Sequence, residues 1–370
     1  MATTKKKKKL TKAQRARRKK QRIALFAVEA VALVVLLVAL YFVSKYSKID
    51  RTEINEEDLV FNEELTADTI DEEQISTNDG LGGHMDDYWN IALFGVDSRK
   101  GALGKGTLTD TIIIASINKE TKEVRLASVF RDTYLNIGND SYNKANAAYA
   151  KGGPVQAINM LNMNFDLNIK DYVTVGWAGV ADTIDALGGV EIDVDEDEIT
   201  HLNNYQVETS KSLGRSYKKV TSTGLQTLDG IQAVSYCRIR YTAGDDFKRT
   251  ERQREVIQAI VDKAKASSPT TLNSAANSIF DEVSTSLELT EVLSLIGDVN
   301  SYTIAETTGV PFEEYRTTGK INGQSCVIPV TLTDSVLKLH QFLFDGAEGY
   351  TPSESVQQYS SKVASDTGKY

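Results

Sequence analysis

The chain is poor in the residues that most often carry nucleophilic or zinc chemistry. Its 370 residues include two cysteines and three histidines, and the histidines are far apart in the sequence (His84, His201 and His340). No zinc-binding spacing, Walker glycine loop or G-x-S-x-G nucleophile elbow is present. The sequence therefore lends no support to a zinc enzyme, a P-loop NTPase or a serine hydrolase.

Acidic residues are absent from residues 1–22, which hold eight Lys and four Arg. Residues 23–43 follow as an apolar run whose only charge is Glu29, and the run is long enough to cross a bilayer as a helix. A cleaved signal peptide has a shorter apolar core that ends at a small-residue site, and this run lacks that site. We therefore predict one uncleaved transmembrane helix. The positive-inside rule then makes the N-terminus cytoplasmic and exports the rest of the chain.

The basic residues 1–22 are predicted to be a cytoplasmic tail that contacts anionic lipid rather than nucleic acid, because they lie beside the membrane helix. Residues 44–87 are acidic and non-periodic, which is typical of an extracellular stalk. Residues 267–345 are predicted to be a helix and strand extension packed on the main domain. Residues 346–370 are rich in Ser and Thr and are predicted to be a disordered tail.

The two cysteines, Cys237 and Cys326, both belong to the part predicted to be exported. That compartment permits a disulfide. The sequence is equally consistent with two small buried apolar side chains.

Three strand-like runs open the main domain, which we place at 88–266. They are 90–97, 110–118 and 123–132, and the last two are joined by a four-residue connection short enough for a hairpin. If they pair as a meander, the end of the first, the start of the second and the end of the third share one edge of the sheet. That edge would gather functional side chains, as strand ends often do: Asp97, Arg99, Asp110, Arg131 and Asp132.

Helical periodicity predicts a helix starting near Pro154, another at 177–187 and a long one at 247–266. The polar segment 195–223 is predicted to be a loop or lid, and Cys237–Tyr241 to be extended. Several apolar helix positions are candidates for lining a lipid site, although packing in the core is the default for such residues: Ile158, Leu161, Phe165, Trp177, Val180 and Ile184.

Arginine is concentrated in "RIRYTAGDDFKRTERQRE", residues 238–255, although the whole chain has a formal net charge of −9. In an extended segment Arg238 and Arg240 project from one face, and adjacent guanidinium groups form a clamp for phosphate oxygens. The long helix then places Arg249, Arg252 and Gln253 on one face of its first turns, where cations oppose the helix dipole unless an anion is bound. The alternative is an exposed charged face with Arg–Glu pairs. We favour an anion site, because of the eleven arginines after residue 43 seven fall in the segments assigned to one edge.

Asp97 and Asp110 are the candidate metal ligands. Two carboxylates beside an arginine cluster suit Mg²⁺, which takes one or two carboxylates together with phosphate oxygens and water. The alternative role for an Asp at a strand end is that of a turn or cap residue. Arginines and a metal ion together are typical of phosphoryl transfer.

Six motifs occur in an order that resembles the LytR–CpsA–Psr family of cell-wall ligases. They span about 88–265 and read "NIALFGVDSR…LTDTIIIASIN", "ASVFRDTYLNI", "YNKANAAYAKGG", "VADTIDALGGVEIDV", "GLQTLDGIQAVSYCRIRY" and "DDFKRTERQRE". The resemblance implies an α/β fold, a three-layer α/β/α domain with a central mixed sheet, preceded by one transmembrane helix. It also implies Mg²⁺-dependent transfer of a glycopolymer from a polyprenyl-pyrophosphate carrier to peptidoglycan, with Mn²⁺ as an alternative ion.

The resemblance carries roles over to matching positions. Asp97 and Asp110 would hold the metal, and Arg131, Arg238, Arg240 and Asp132 would form the catalytic group. The predicted substrate-binding residues are Arg99, Lys144, Asn146, Asp246, Arg249, Arg252 and Gln253.

Two positions depart from the family pattern. The helix has "RQR" where the family commonly shows "RQQ", which leaves the role of Arg254 open, and Thr109 replaces the usual Ser, a change we expect to be neutral. Two other functions would use the same site: a polyprenyl-pyrophosphate hydrolase, and a non-enzymatic regulator or scaffold that binds lipid-linked polymer. Neither the polymer nor the general base is indicated by the sequence.

Overall fold

The computed structural model describes residues 49–62, 83–97, 103–240, 245–279 and 282–370, together with Ser44, Tyr46 and Ser47. Residues 1–48 and 49–370 are separate units, and the fold below is that of the second unit. Among the described residues, no helix is both long and apolar enough to cross a membrane. The predicted basic tail and the predicted membrane helix at 23–43 lie outside the described residues.

The strands of the second unit are β1 (Asp50–Arg51), β2 (Tyr88–Val96), β3 (Thr109–Asn118), β4 (Glu123–Val129), β5 (Tyr134–Asn136), β6 (Tyr142–Lys144), β7 (Asp171–Gly176), β8 (Val190–Val194), β9 (Gly224–Leu228), β10 (Val283–Thr285), β11 (Thr303–Val310), β12 (Arg316–Ile321) and β13 (Gln324–Pro329). Its helices are α1 (Asn146–Phe165), α2 (Trp177–Leu187), α3 (Glu196–Leu213), α4 (Gly230–Tyr236), α5 (Asp245–Lys265), α6 (Pro269–Ile279), α7 (Leu289–Gly297), α8 (Leu332–Leu343) and α9 (Glu354–Thr367).

Within the described part of the chain, seven strands form one mixed sheet in the order β1-β10-β7-β2-β3-β4-β11. β2, β3 and β4 pair antiparallel as the predicted meander, whereas β7 runs parallel to β2 and β11 parallel to β4. Helices cover both faces. The prediction of a central mixed sheet with flanking helices is therefore confirmed.

Alternation along β3 explains the layers. Ile112 and Ile114 face the main core, where α1 and α8 pack, while Ile113 points to the opposite face and contacts α5 through Ile257. A second core lies beneath α2, α3 and α4 and contains Leu202 and Ile239. Because β3 is buried on both faces, it reads in the sequence as a continuous apolar run.

The segment 267–345 does more than pack on the domain. It supplies β10, which lies between β1 and β7, and β11, which pairs with β4 at the opposite edge. The predicted boundary at residue 266 therefore does not separate two bodies in the structure.

The predicted loop at 195–223 is instead mostly the helix α3. Asp195 and Glu198 form a capping box at its start, and Gly214 ends it in the left-handed conformation. The buried positions follow helical spacing but are largely polar, which hid the periodicity: Leu202, Gln206 and Thr209. The prediction of an extended Cys237–Tyr241 also differs from the structure, since residues 237 and 238 form a turn after α4 and no strand follows up to Arg240.

Both predicted flexible ends are partly ordered against the domain. In the predicted stalk, β1 pairs with β10, and Asn62 is buried and donates to the Met163 carbonyl at 3.0 Å. In the predicted disordered tail, α9 buries Val356 and Val363. These apolar positions are too sparse to predict a helix without knowing the surface that covers them.

The buried carboxyl group of Asp166 joins these two ends. It accepts hydrogen bonds from the Tyr350 hydroxyl at 2.6 Å, from the Ser353 amide at 2.8 Å and hydroxyl at 2.7 Å, and from the Asn62 side chain. Asp166 is completely buried. Its removal would leave several buried donors without an acceptor.

We predict that Asp166→Ala lowers the free energy of unfolding by ~3 kcal/mol or more, because each orphaned buried donor costs roughly 1–3 kcal/mol. Urea denaturation of the full chain would measure this. The control is Glu348→Ala, at an exposed carboxylate two residues before Tyr350, which should change stability by less than ~0.5 kcal/mol. Equal stability of the two variants would contradict the role of Asp166.

The cysteines are both free thiols and lie in different apolar clusters. Burial raises the pKa of the Cys237 thiol to about 12. The structure therefore supports the interpretation in which the two cysteines are buried apolar side chains, and not the one in which they form a disulfide.

Candidate functional site

A cavity of about 560 Å³ lies at the edge of the sheet where β2 ends and β3 begins. Its charged and amide lining comes from segments far apart in sequence: Asp97, Asp110, Arg131, Arg238, Arg240, Arg249 and Gln253. Trp177, Tyr205 and Leu108 add apolar surface. We call this the arginine cavity.

A bulge in the sheet positions Asp110. Gly95 pairs with Thr111 but Val96 pairs with Thr109, so Asp110 has no partner across the β2–β3 ladder. Such a bulge redirects a side chain out of the regular alternation. Asp97 follows directly after β2, and both aspartates therefore line the same cavity.

Three arginines converge on Asp110 and Asp246. Arg131 donates to the Asp110 carboxylate, and Arg240 Nη2 lies 3.6 Å from the same oxygen. Asp246, in the first turn of α5, pairs with Arg249 at 2.9 Å and lies 3.8 Å from Arg240 and 4.0 Å from Arg131. Arg131 also lies 3.8 Å from Asp132, which pairs with Lys144 at 3.0 Å. Four cationic side chains therefore share three carboxylates, and the cluster keeps an excess of positive charge.

Arg249 shows the electrostatic cost of this arrangement. Its side chain is 2% exposed, and burial lowers the pKa of its guanidinium to about 10, while Asp246 opposes the shift and Arg131 and Arg240 add to it. A cation held in so unfavourable an environment is stabilised when an anion binds beside it.

Arg238 is held by side chains of α2 and α3. Its guanidinium lies 5.7 Å from the Trp177 ring centroid and 5.4 Å from that of Tyr205, and it donates to the Thr209 hydroxyl at 2.9 Å. Cation–π contact and the hydrogen bond fix the planar group at the cavity wall. The interpretation of residues 195–223 as a loop does not predict these α3 contacts.

Several buried polar atoms at the cavity have no hydrogen-bond partner among the described residues. They are Nε of Arg131 and Arg249, Nε1 of Trp177, and both terminal atoms of the Gln253 side chain. Gln253 is 4% exposed. Buried polar groups are nearly always satisfied, so this set points to a bound ligand rich in acceptor oxygens.

A second cavity of about 260 Å³ adjoins the first, and the two share Trp177 and Gln253 as lining residues. We call it the apolar cavity. Its walls are formed mainly by Val and Ile side chains of β2, β7, α2 and α5, including Val96, Val175, Val180, Val256 and Ile260. A charged cavity next to an apolar one suits an amphiphilic ligand with an anionic head and a hydrocarbon chain.

The candidate lipid-lining residues divide between this cavity and the core. Trp177 and Val180 line the apolar cavity. The other four are completely buried in core clusters and lie away from it: Ile158, Leu161, Phe165 and Ile184. The actual lining comes largely from β2, β7 and α5, because the cavity opens on the sheet face opposite α1.

The remaining predicted site residues lie beside the arginine cavity or apart from it. Lys144 pairs with Asp132 at 3.0 Å, and the backbone amide of Asn146 donates to the backbone carbonyl of Arg131 at 3.0 Å. Lys144, Asn146 and Asp132 therefore support the chain that follows β4 and do not line the cavity. Arg99 lies outside the described residues.

Arg252 does not line the arginine cavity, although the helical spacing predicts a substrate-binding face shared with Arg249 and Gln253. Instead Arg252 Nε pairs with Glu198 at 2.7 Å, and both side chains are buried. A buried cation requires such a partner, and α3 supplies it.

The donor set for a metal ion is limited. Among the described residues, no group of three or more His, Cys, Asp or Glu side chains could hold one. Asp97 and Asp110 provide two carboxylates facing one cavity, and Mg²⁺ usually takes one or two carboxylates together with phosphate oxygens and water. The residues present therefore fit an ion that arrives with a phosphorylated ligand.

Comparison with known proteins shows the family and the fold of the chain. Residues 41–338 match the model of the LytR_cpsA_psr family. The chain is 34% identical over 235 residues to polyisoprenyl-teichoic acid–peptidoglycan teichoic acid transferase TagU of Oceanobacillus iheyensis, which covers 60% of this chain and 68% of that protein. The TagU of Enterococcus faecalis is 31% identical over 221 residues, or 58% and 66% of the two chains. The crystal structure of Bacillus subtilis TagT has the same fold, with a TM-score of 0.53, 23% identity and coverage of 70% and 92%.

Proposed function

Because the chain belongs to the LytR_cpsA_psr family, we propose that it is a phosphotransferase that moves a glycopolymer from a polyprenyl-pyrophosphate carrier to peptidoglycan. The two TagU relatives, of which the chain spans about two thirds, are named as teichoic acid–peptidoglycan transferases and support a glycopolymer transferase. Teichoic acid and capsular or other wall polysaccharide are the candidate polymers. The observation that carries the proposal is that the arginine cavity adjoins the apolar cavity. A polyprenyl pyrophosphate has an anionic pyrophosphate for the first and a hydrocarbon chain for the second.

In the proposed reaction, an acceptor hydroxyl attacks the phosphorus that bears the polymer. Our candidate is the 6-hydroxyl of N-acetylmuramic acid. A new phosphorus–oxygen bond forms, the bond from that phosphorus to the bridging oxygen breaks, and polyprenyl phosphate leaves with the electron pair. The hydroxyl proton passes to a base. The residues assigned to the pyrophosphate oxygens are Arg131, Arg238, Arg240 and Arg249.

The arginines perform the part of catalysis on which phosphoryl transfer depends most, namely positioning and stabilisation of charge on the oxygens. Asp246 holds three of them in place, and Gln253 offers both a donor and an acceptor at the junction of the two cavities. Asp97 and Asp110 would hold Mg²⁺, or Mn²⁺, which would supply further neutralisation of the pyrophosphate charge when bound.

The proposed location follows from the same chemistry. A single-pass anchor with a cytoplasmic N-terminus keeps the catalytic domain on the extracellular side of the cell membrane, where a polyprenyl carrier presents its phosphates. The basic tail would contact anionic lipid on the inner side.

The proposal is tested with the full chain in detergent, a synthetic polyprenyl-pyrophosphoryl glycan, Mg²⁺ and peptidoglycan oligomers. We expect polymer-linked peptidoglycan and polyprenyl phosphate as products, and loss of both on chelation of the metal. Release of free polymer phosphate at the same rate without acceptor would instead identify a hydrolase. Donor binding with no turnover would identify a regulator or scaffold.

The apolar cavity makes a separate prediction about chain length. Val180→Trp should fill part of it and weaken binding of a long-chain polyprenyl donor about tenfold, since several buried methylene groups at ~0.8 kcal/mol each lose their contacts. Binding of a donor with a short prenyl chain should be little affected. Val207→Trp, at an exposed position of α3, is the matched control, and equal loss for both donors would contradict the assignment.

A further inference from the structure

A third cavity lies on the other side of α5 and has no place in the proposed reaction. It measures about 790 Å³ and lies between β8, the start of α3, α5 and the edge strand β11. We call it the acidic groove. Seven carboxylates line it, accompanied by only two basic side chains, Lys248 and Arg254: Glu191, Asp193, Asp195, Glu198, Glu251, Glu255 and Asp262.

Arg254 is the unusual member of this lining. It is 8% exposed, its Nη1 donates to the Ser128 hydroxyl at 2.8 Å, and its Nε is buried without a partner among the described residues. No carboxylate of the described residues lies within ion-pair distance of it. A buried guanidinium with a single neutral partner is costly, and a bound anion would remove that cost.

The acidic side chains nearest to Arg254 are engaged elsewhere. Glu251 pairs with Lys248 at 2.9 Å, and Glu255 accepts from the Tyr236 hydroxyl at 2.7 Å. Both still oppose the effect of burial, which lowers the pKa of Arg254. The groove thus combines one buried cation, Arg254, that has no carboxylate in direct contact with it, and a wall lined by carboxylates.

We propose that the acidic groove binds a peptide that carries both a free carboxylate and a cationic amine, with the carboxylate on Arg254 and the amine among the surrounding acids. A simple anion would be repelled by most of the wall, and a simple cation would leave Arg254 unpaired. A zwitterionic ligand satisfies both.

This inference rests on the proposed function, because such a peptide is the stem peptide of the peptidoglycan acceptor. The charges of the two cavities then separate the substrates. The arginine cavity attracts a polyanionic donor, whereas the acidic groove repels it and accepts the zwitterionic part of the acceptor. Arg249 and Gln253 of one cavity and Arg254 of the other belong to the same helix, α5.

Arg254 is also the position where this chain departs from the commoner "RQQ" pattern. The stem-peptide role gives that departure a reason: glutamine could not supply the charge that a carboxylate ligand requires. Arg254→Gln is therefore the natural test variant. Arg125→Gln is its matched control, since Arg125 lies on β4 outside the groove and pairs with Asp345.

The probe is the tripeptide L-alanyl-γ-D-glutamyl-L-lysine, titrated calorimetrically into the full chain in detergent. We expect wild type and Arg125→Gln to bind it, and Arg254→Gln to bind about tenfold or more weakly, as the loss of a charged hydrogen bond implies. A tripeptide with its carboxylates amidated should lose a similar factor with wild type and little more with Arg254→Gln. Acetylation of the lysine amine should weaken binding to both proteins.

Three results would overturn the proposal: no binding of the tripeptide to wild type, equal binding of the acid and amide forms, or binding of inorganic phosphate in preference to the tripeptide. If Arg254→Gln does not fold, which thermal unfolding would reveal, the amide comparison on wild type decides the question alone. Failure of the proposed function is separately visible, because tripeptide binding can be present when no polymer transfer is found with any acceptor.

Discussion

Alanine at Arg240 is expected to lower the rate of polymer transfer about a hundredfold to a thousandfold, comparable to the loss of one oxyanion-stabilising donor, which costs ~3 kcal/mol. The guanidinium lines the arginine cavity and is its most exposed arginine in an ion pair, with 36% of the side chain accessible. Its two carboxylate neighbours, Asp110 and Asp246, are also shared with Arg131 and Arg249. Removing Arg240 therefore removes ligand contacts and leaves the protein charges still paired.

The measurement is single-turnover transfer with saturating donor, so that the chemical step is separated from donor binding. Arg215→Ala is the control, because Arg215 also pairs with an aspartate, Asp182, but lies outside the cavity. Arg240→Ala should unfold at nearly the wild-type temperature. A variant that retains more than a tenth of wild-type transfer would remove Arg240 from the catalytic group.

Alanine at Arg252 is expected to act on stability, with a cost of ~3–5 kcal/mol in the free energy of unfolding, because it leaves Glu198 buried without its counter-charge. Both side chains are almost inaccessible, and Arg252 also donates to the Ile239 carbonyl at 3.2 Å. If Arg252 instead bound substrate, as its place in the sequence suggested, the variant would be stable but inactive. Urea denaturation distinguishes the two cases.

A second substitution sharpens this test. Arg252→Met combined with Glu198→Leu should recover part of the lost stability, since replacing both members of a buried pair by apolar groups is often neutral. The recovery is incomplete because Glu198 also accepts from the Asp195 backbone amide at the start of α3. The exposed pair of Lys248 and Glu251 is the control, and Lys248→Ala should cost less than ~1 kcal/mol. Additive losses at Arg252 and Glu198 would show that the pair is not what stabilises α3 against α5.

The local sequence was sufficient to predict much of the sheet and its edge. The apolar runs at 110–118 and 123–132 match β3 to within one residue and include β4, and the short connection between them indicated a hairpin. Once β2, β3 and β4 are a meander, Asp97, Asp110 and Arg131 must meet at one edge, and the structure places all three around one cavity. Period-two alternation and turn length are local properties, which is why they can be read without a fold.

Other features depend on which surfaces meet in three dimensions. α3 buries Gln206 and Thr209, so its helical face is not apolar, and α9 is held by Asp166, which is distant in sequence. The same limit separates Arg252 from Arg254. The sequence alone does not distinguish these two arginines of one helix. In the structure, α3 provides a carboxylate for Arg252, and no described residue provides one for Arg254.

The sequence by itself therefore determined the three strands of the meander and the grouping of arginines with aspartates at its edge, because these follow from local periodicity and chain connection. Only the tertiary structure decided which arginines face a cavity, which are neutralised inside the protein, and where an apolar chain fits. The reason is physical: the cost of burying a charge or leaving a cavity is set by partners that the chain brings from elsewhere.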